Sequence, residues 1–304
     1  MDAQAYRENL GETAVTTDLD QHVALVTGAS SGIGKSTARQ LQARGWRVIG
    51  VGRDPRRSAA AEAEIAAAPG GESFTLVRAD FTVMAEVQRA AEEVFSRTGR
   101  LDVLINNAGG VRDRQIITAE GTEATFAANH LAPFLLTREL MPLLKVSAAA
   151  RPPGTTRVIA VSSTAHRIVD GIDFDDLQSL GGFQPAFAYG RAKLANILFT
   201  RELARRAEPE GIVAQVMHPG VVASNFASHG DEGMQAYMAS ADTVSPDEPA
   251  ETLTWLAIEP EGGRRGGRYF YQKAEETPSA AAQDDAAAGK LWAESEALLA
   301  KLGF

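Results

Sequence analysis

The sequence predicts an α/β fold, with a single domain built on a doubly wound parallel sheet of about seven strands. Three observations carry this. Short apolar runs alternate with longer helical patterns from His22 onward. The runs are rich in β-branched residues and nearly continuous in apolarity, as strands buried on both faces are. No internal repeat or linker divides the chain, and large α/β domains reach this length.

In order, the strand runs are VALVTG (23–28), RVIGVG (47–52), SFTLVRA (73–79), LDVLINN (101–107), RVIAVSS (157–163), IVAQVMHP (212–219) and GRYFYQ (267–272). Helical patterns lie between most of them, around 33–44, 56–67, 83–97, 120–145, 187–206 and 247–258. Residues 1–20 are expected to be a poorly packed polar arm, and 21–272 the core domain. Residues 223–246 interrupt the pattern as a small helical lid, and 273–304 form a C-terminal tail with a helix. Function in such sheets concentrates at the carboxyl ends of the strands. There the sequence places Gly28 to Gly34, Arg53, Asp80, Asn106 to Gly109, Ser162 with Ser163, and Pro219 with Gly220.

Bulk properties narrow the function. The 304 residues are 44% hydrophobic and 23% charged, ordinary for a globular protein. A net charge of −9 argues against nucleic acid or an anionic membrane as the main partner. The absence of cysteine excludes disulfides and thiolate metal sites, and fits a reducing compartment. No run of about 18 uncharged apolar residues occurs, and the N-terminus lacks the apolar core of a secretory signal. The five histidines form no metal-ligand spacing.

Two constellations carry chemistry. Tyr189 and Lys193 lie four apart in a helical run, on one face. A cation beside a phenol favours its charged form and equips it for proton transfer at a carbonyl or alcohol. TGASSGIGKS (27–36) joins the first strand to the first helix. Its Gly28, Gly32 and Gly34 allow a tight turn and close approach of a pyrophosphate to a helix N-terminus. The same residues nearly spell a P-loop ending in Lys35-Ser36. That reading puts Ala29 where the first glycine belongs, and the strands LDVLINN and RVIAVSS end in Asn and Ser rather than the required Asp. Arg53 stands 19 residues after Gly34, where an acid would select NAD. Arginine suits a 2′-phosphate, so NADP(H) is favoured over NAD(H), with the neighbouring Asp54 as the opposing feature.

TGASSGIG (27–34), Asp80, NNAG (106–109), Asn129, Ser163, YGRAK (189–193) and PG (219–220) together resemble the short-chain dehydrogenase/reductases, from about His22 to at least Gln272. NHLAPFLLT (129–137), VSSTAH (161–166) and HPGVV (218–222) are most similar to the retinol-dehydrogenase-like branch, as is KLWAESEALL (290–299). The resemblance implies a Rossmann-type fold and a catalytic set of Asn129, Ser163, Tyr189 and Lys193. Tyr189 would be the general acid or base. Lys193 would hold the nicotinamide ribose and depress the Tyr189 pKa. Ser163, rather than Ser162, would bind the substrate oxygen, and Asn129 would position a water in a proton relay. The implied cofactor cleft takes in Gly28, Ser30, Ser31, Gly32, Ile33, Gly34, Arg53, Asp80 and Phe81. On its other side are Asn107, Ala108, Gly109, Pro219, Gly220 and Val222, with Tyr189 and Lys193. Ala192 stands where many relatives carry serine, and the apolar N-terminal anchor of membrane-bound retinol dehydrogenases is absent, so a cytoplasmic enzyme is expected. Assembly as a homodimer or homotetramer is the family habit, although the 273–304 tail could pack over the usual contact surface.

The lid offers Phe226, Met234, Tyr237 and Met238 as apolar and aromatic contacts, with Phe183 and Phe187 as an opposite wall and His166 within reach of the substrate. The expectation is an NADP(H)-dependent ketoreductase, moving hydride between nicotinamide and a bulky hydrophobic, polycyclic or aromatic carbonyl or alcohol. Two alternatives stay open: a quinone or enone reductase serving a partner oxygenase, and a non-catalytic NADP-binding sensor.

Overall fold

The computed structural model describes residues 21–68, 73–224, 226, 228 and 230–304. The expected arm of residues 1–20 and one of the five histidines, His229, lie outside the described residues. Eight strands form one sheet: β1 Val23–Thr27, β2 Arg47–Gly52, β3 Phe74–Arg78, β4 Val103–Asn106, β5 Thr156–Val161, β6 Ile212–Met217, β7 Tyr269–Tyr271 and β8 Ala274–Glu276. Their order is β3-β2-β1-β4-β5-β6-β7-β8. All neighbours are parallel except β7 and β8.

The strands alternate their side chains between two helical layers. Ala24 and Val26 of β1 join one core cluster with Leu41 of α1 (Gly32–Gln42), Ile65 of α2 (Pro55–Ala66) and Leu253 of α7 (Asp247–Ile258). Val23 and Leu25 face the other cluster, with Val87 of α3 (Met84–Arg97), Leu135 of α4 (Ala132–Ala150) and Phe199 of α5 (Pro185–Ala207). The lid helix α6 is Glu232–Ser240 and the tail helix α8 is Asp285–Leu302. Local chemistry sets several boundaries. Asp54, Asp231 and Asp284 accept hydrogen bonds from Arg57 N, Met234 N and Ala287 N, capping α2, α6 and α8. Pro55 follows at the first turn of α2 and Gly303 ends α8 with φ 92°.

The structure refines the sequence expectation in two places. Against the expected seven or so strands, the sheet has eight, and the eighth lies in the segment assigned to the tail. Its sequence, AEE, has no apolar face to announce a strand. Its turn uses Gln272 and Lys273 at φ 46° and 67°, rather than the asparagine–glycine pair that usually marks such hairpins. The helix expected at 120–145 begins at Ala124 instead. It passes through a π-helical stretch, Ala127–Leu131, and runs on to Ala150.

Candidate active site

The Gly-rich turn leaves β1 at Gly28 with φ 71° and enters α1 after Ser31. Gly34 is pressed against it: a side chain there would put its first carbon 2.4 Å from the Gly28 carbonyl oxygen. The first turn of α1 carries no acid, so its unpaired N–H groups and positive dipole end face the cleft uncompensated. Lys35 and Ser36, which a P-loop would need, are engaged elsewhere. Lys35 Nζ pairs with Glu64 at 2.7 Å, and the Ser36 hydroxyl bonds Asp247.

The loop after β4 is held from below. Thr27 Oγ1 accepts from Asn107 N and Ala108 N, both at 2.9 Å. Asn107 Nδ2 donates to Thr27 O at 2.8 Å. Asn129 is fully buried on the π-helical stretch. Its Nδ2 donates to Gly110 O and Thr125 O at 2.8 Å, and its Oδ1 accepts from Gly110 N at 3.1 Å. A carbon added at Gly109 would lie 2.4 Å from Asn129 Oδ1 and 3.3 Å from Lys193 Nζ. Asn129 and Lys193 thus flank one point of this loop, and only glycine fits between them.

At the β2–β3 side of the cleft, Arg53 Nη1 stands 4.0 Å from Asp80 Oδ2. The other Asp80 oxygen accepts from Thr82 N and Thr82 Oγ1, both at 2.9 Å. Phe81 is buried beneath. Asp54 also borders the cavity, but it caps α2 through Arg57 N at 2.8 Å, and that backbone bond holds its carboxyl below the usual range.

Ser163, Tyr189 and Lys193 meet where β5 approaches α5. Gly190 makes this possible, because a side chain there would sit 2.9 Å from Ala165 O, against the Ser163 loop. Ser162 is buried, with its Oγ donating to the Lys193 carbonyl at 2.8 Å, whereas Ser163 is half-buried and lines the cleft. Tyr189 is 6% exposed. Burial pushes its phenol up, and a hydrogen bond with the Ser163 side chain offsets this in part. Lys193 Nζ lies 5.5 Å from the Tyr189 ring centre and donates to Val161 O at 3.1 Å. Burial lowers its pKa to about 8. The expected depression of Tyr189 by Lys193 is therefore not the leading effect here; desolvation is.

These groups open onto a cavity of about 580 Å³. Its wall includes Gly28, Ser30, Ser31, Gly32 and Ile33 from the turn, then Arg53, Asp80 and Phe81. Asn107, Ala108, Gly109, Ser163, Tyr189, Lys193, Pro219, Gly220 and Val222 complete the far side. Of the lid, Phe226, Met234, Tyr237 and Met238 line it, with Phe226 5.2 Å from the Tyr189 ring. Gly34 lies under the turn rather than in the wall, and Asn129 behind Gly110.

Two expectations about the substrate side are corrected. His166 does not face the cleft. It is fully buried, with Nδ1 on the Ser163 carbonyl and Nε2 on Ser279 N, so its ring is committed to the chain behind the site. Phe183 and Phe187 are not in the wall either; Phe187 is 45% exposed. They stand around Pro185, which opens α5, and the small Ala186 meets the cavity in their place. Sequence reasoning also missed Arg112, Ile168 and the buttress Thr27, all now visible in or under the wall. The threonine sits in TGASSGIG itself and was the one readable signal. Among the described residues no group of three or more His, Asp or Glu is arranged to hold a metal, and no helix is long and apolar enough to cross a membrane.

A parallel sheet with this glycine turn and a buried Tyr–Lys pair defines a nucleotide-dependent oxidoreductase class. Residues 22–235 match the short chain dehydrogenase family model. The chain is 39% identical to human retinol dehydrogenase 14, over 91% of this chain and 86% of that protein. Among solved structures, an uncharacterized protein from Mycobacterium Paratuberculosis superposes with a TM-score of 0.70 at 30% identity, covering 91% of this chain and 93% of that one. The Pseudomonas aeruginosa RhlG/NADP active-site complex gives a TM-score of 0.65 at 29% identity, covering 82% and 93%. The chain belongs to the short-chain dehydrogenase/reductase family, and within it is retinol-dehydrogenase-like: an oxidoreductase on a Rossmann-type sheet.

Proposed function

We propose that this protein is an NADP(H)-dependent oxidoreductase that moves hydride between nicotinamide and the carbonyl or alcohol carbon of a bulky hydrophobic substrate. One observation carries the reading: Ser163, Tyr189 and Lys193 converge on the wall of a cleft beneath the aromatic lid residue Phe226. The donor set supports the cofactor. The turn is pressed so closely on Gly34 that backbone can approach a pyrophosphate, and the α1 N-terminus supplies free N–H donors. Support for NADP over NAD comes from Arg53 at the end of β2. Asp54, the acid that would favour a ribose hydroxyl, spends its carboxylate on capping α2. RhlG, at 29% identity, was solved with NADP.

The nicotinamide cofactor, when bound, supplies the hydride. The chain supplies the proton and the field. Because burial raises its pKa, Tyr189 stays protonated at neutral pH and is suited to act as the acid of carbonyl reduction. Ser163 hydrogen-bonds the same oxygen and shares its developing charge. Lys193 remains cationic below about pH 8 and favours the phenolate that proton donation leaves behind. Asn129, bound to Gly110 on both its amide atoms, holds the loop that faces Lys193.

The test is NADPH oxidation, with NADH in parallel, against bulky ketones, aldehydes and quinones. Tyr189→Phe should keep NADPH affinity and lose roughly 10²- to 10⁴-fold in turnover, the usual share of general acid catalysis. Near-normal turnover in that variant would defeat the reading.

A further inference from the structure

Three buried histidines, each beside a segment of the site, reach the same distant part of the chain. His130 follows Asn129 on the π-helical stretch, and its Nε2 bonds Ser295 Oγ in α8 at 2.8 Å. Ser295 donates its own proton to Leu291 O at 2.8 Å, so the histidine is the donor between them. His166 stands three residues after Ser163. Its Nε2 accepts from Ser279 N at 3.1 Å, which makes Nδ1 the protonated nitrogen that donates to the Ser163 carbonyl at 2.7 Å. His218 precedes Pro219 and Gly220. Its Nδ1 accepts from Gly220 N at 3.3 Å, and its Nε2 donates to Glu276 at 3.2 Å.

The partners Glu276, Ser279 and Ser295 all belong to residues 273–304. Packing reinforces the three links. Tyr271 stacks on His218 at 4.3 Å and 10°, and Tyr269 contacts the rings of both His218 and His166. Trp292 of α8 packs on Phe134 and Phe199, which also surround His130. Desolvation lowers the pKa of all three imidazoles and keeps them neutral near pH 7, as the paired donor and acceptor nitrogens of His166 and His218 require, whereas Nδ1 of His130 is buried without a partner.

We infer that the C-terminal segment 273–304 is a positioning element of the active site, acting through His130, His166 and His218. Each histidine joins one site segment to the tail: the Asn129 stretch, the Ser163 loop and the Pro219–Gly220 turn. The tail thus sets the backbone on which the reacting groups stand, without touching substrate or cofactor. Misplacement of about 1 Å at such groups is enough to cost a hundredfold in rate.

The inference rests on the proposed hydride-transfer site for its kinetic arm, so the experiment has a second arm that does not. Four variants of the full chain are compared with wild type: His166→Ala, His166→Asn, Ser295→Ala and Glu276→Ala. Asp285→Asn, which breaks only the exposed Arg201 pair on the same tail, is the control. Turnover, NADPH affinity, melting temperature and amide exchange at residues 162–168 and 218–222 are measured. His166→Ala should lower the melting temperature and, at temperatures where it is fully folded, lower kcat by about tenfold or more with KM little changed. His166→Asn keeps an N–H for the Ser163 carbonyl, but its amide oxygen is too short to take the place of Nε2 on Ser279 N, and it should recover part of the loss. Ser295→Ala should lower kcat more mildly, and Glu276→Ala should weaken NADPH binding severalfold and speed exchange at 218–222. The control should match wild type. Wild-type exchange and kcat in the three tail-link variants would overturn the inference, as would losses that vanish once corrected for the folded fraction. If wild type reduces no carbonyl with either nicotinamide, the proposed function fails, and exchange and NADPH affinity still decide the role of the tail.

Discussion

The two walls of the cleft are built on different principles. The wall made by the strand ends is anchored at nearly every residue: Thr27 holds Asn107 and Ala108, Asn129 holds Gly110, and Gly34 is pressed against Gly28. The lid wall is a short helix, α6, with no buried residue and an Asp231 cap. Tyr237 is 55% exposed, and an isolated bridge, Val222 with Val244, joins the base of the lid. Atoms that handle charge and hydride must be fixed before they react, whereas atoms that recognise an apolar shape need only area. On the proposed function, the contrast assigns the reaction to the anchored wall and the choice of substrate to the lid.

The largest expected effect that would break this contrast is at the anchored wall. Gly34→Ala places a carbon against the backbone of Gly28, which cannot yield as a side chain would. It should destabilise the fold by about 1–3 kcal/mol and weaken binding of either nicotinamide, as read by melting and NADPH titration. A variant that binds NADPH like wild type would show that the turn is looser than it looks.

Next comes Arg53→Ala. A hydrogen bond to a charged group contributes about 1.5–3 kcal/mol, so NADPH affinity should fall roughly 10- to 100-fold with NADH nearly unmoved. Equal loss for both cofactors would assign Arg53 to the fold rather than to the 2′-phosphate.

The pH profile sharpens the same wall. Lys193 is depressed to about 8, so its charge is present below that pH and lost as pH rises through it. Reduction should therefore decline above about pH 8, well before Tyr189 itself ionises. Stability runs the other way. The unfolded chain keeps this proton up to the ordinary lysine value of about 10.4, so between the two pKa values the folded state gains stability as pH rises. Urea midpoints measured alongside turnover at pH 7 to 10 would separate the two trends; parallel decline in both would contradict the assignment.

The smallest effects belong to the lid. Phe226→Ala and Tyr237→Ala should each change selectivity among bulky ketones by about 1 kcal/mol, less than tenfold, because these side chains are only partly buried. Kinetics on a substrate panel measures this, and an unchanged ranking would remove the lid from substrate recognition.

Legibility followed the same division. Glycines, Arg53, Asp80, the NNAG run and the Tyr–Lys pair were readable because each serves a local geometry: a turn, a strand end, an i,i+4 spacing. The lid was readable only as an interruption. His166 was misjudged because its distance from Ser163 along the chain says nothing about which way its ring turns, and Ser279, which claims it, is 113 residues away. Strand β8 was missed because its pairing partner, not its composition, makes it a strand.

By itself the sequence determined the parallel α/β sheet and the residues able to do chemistry, since periodicity and short-range spacing encode these directly, and its motifs carried the resemblance to the family. Only the tertiary structure decided that the Ser162 hydroxyl is tied to the Lys193 carbonyl, that burial leads at Tyr189, and that the tail reaches back to three segments of the site. Those depend on contacts between residues remote in the chain, where desolvation and packing, rather than local propensity, set the outcome.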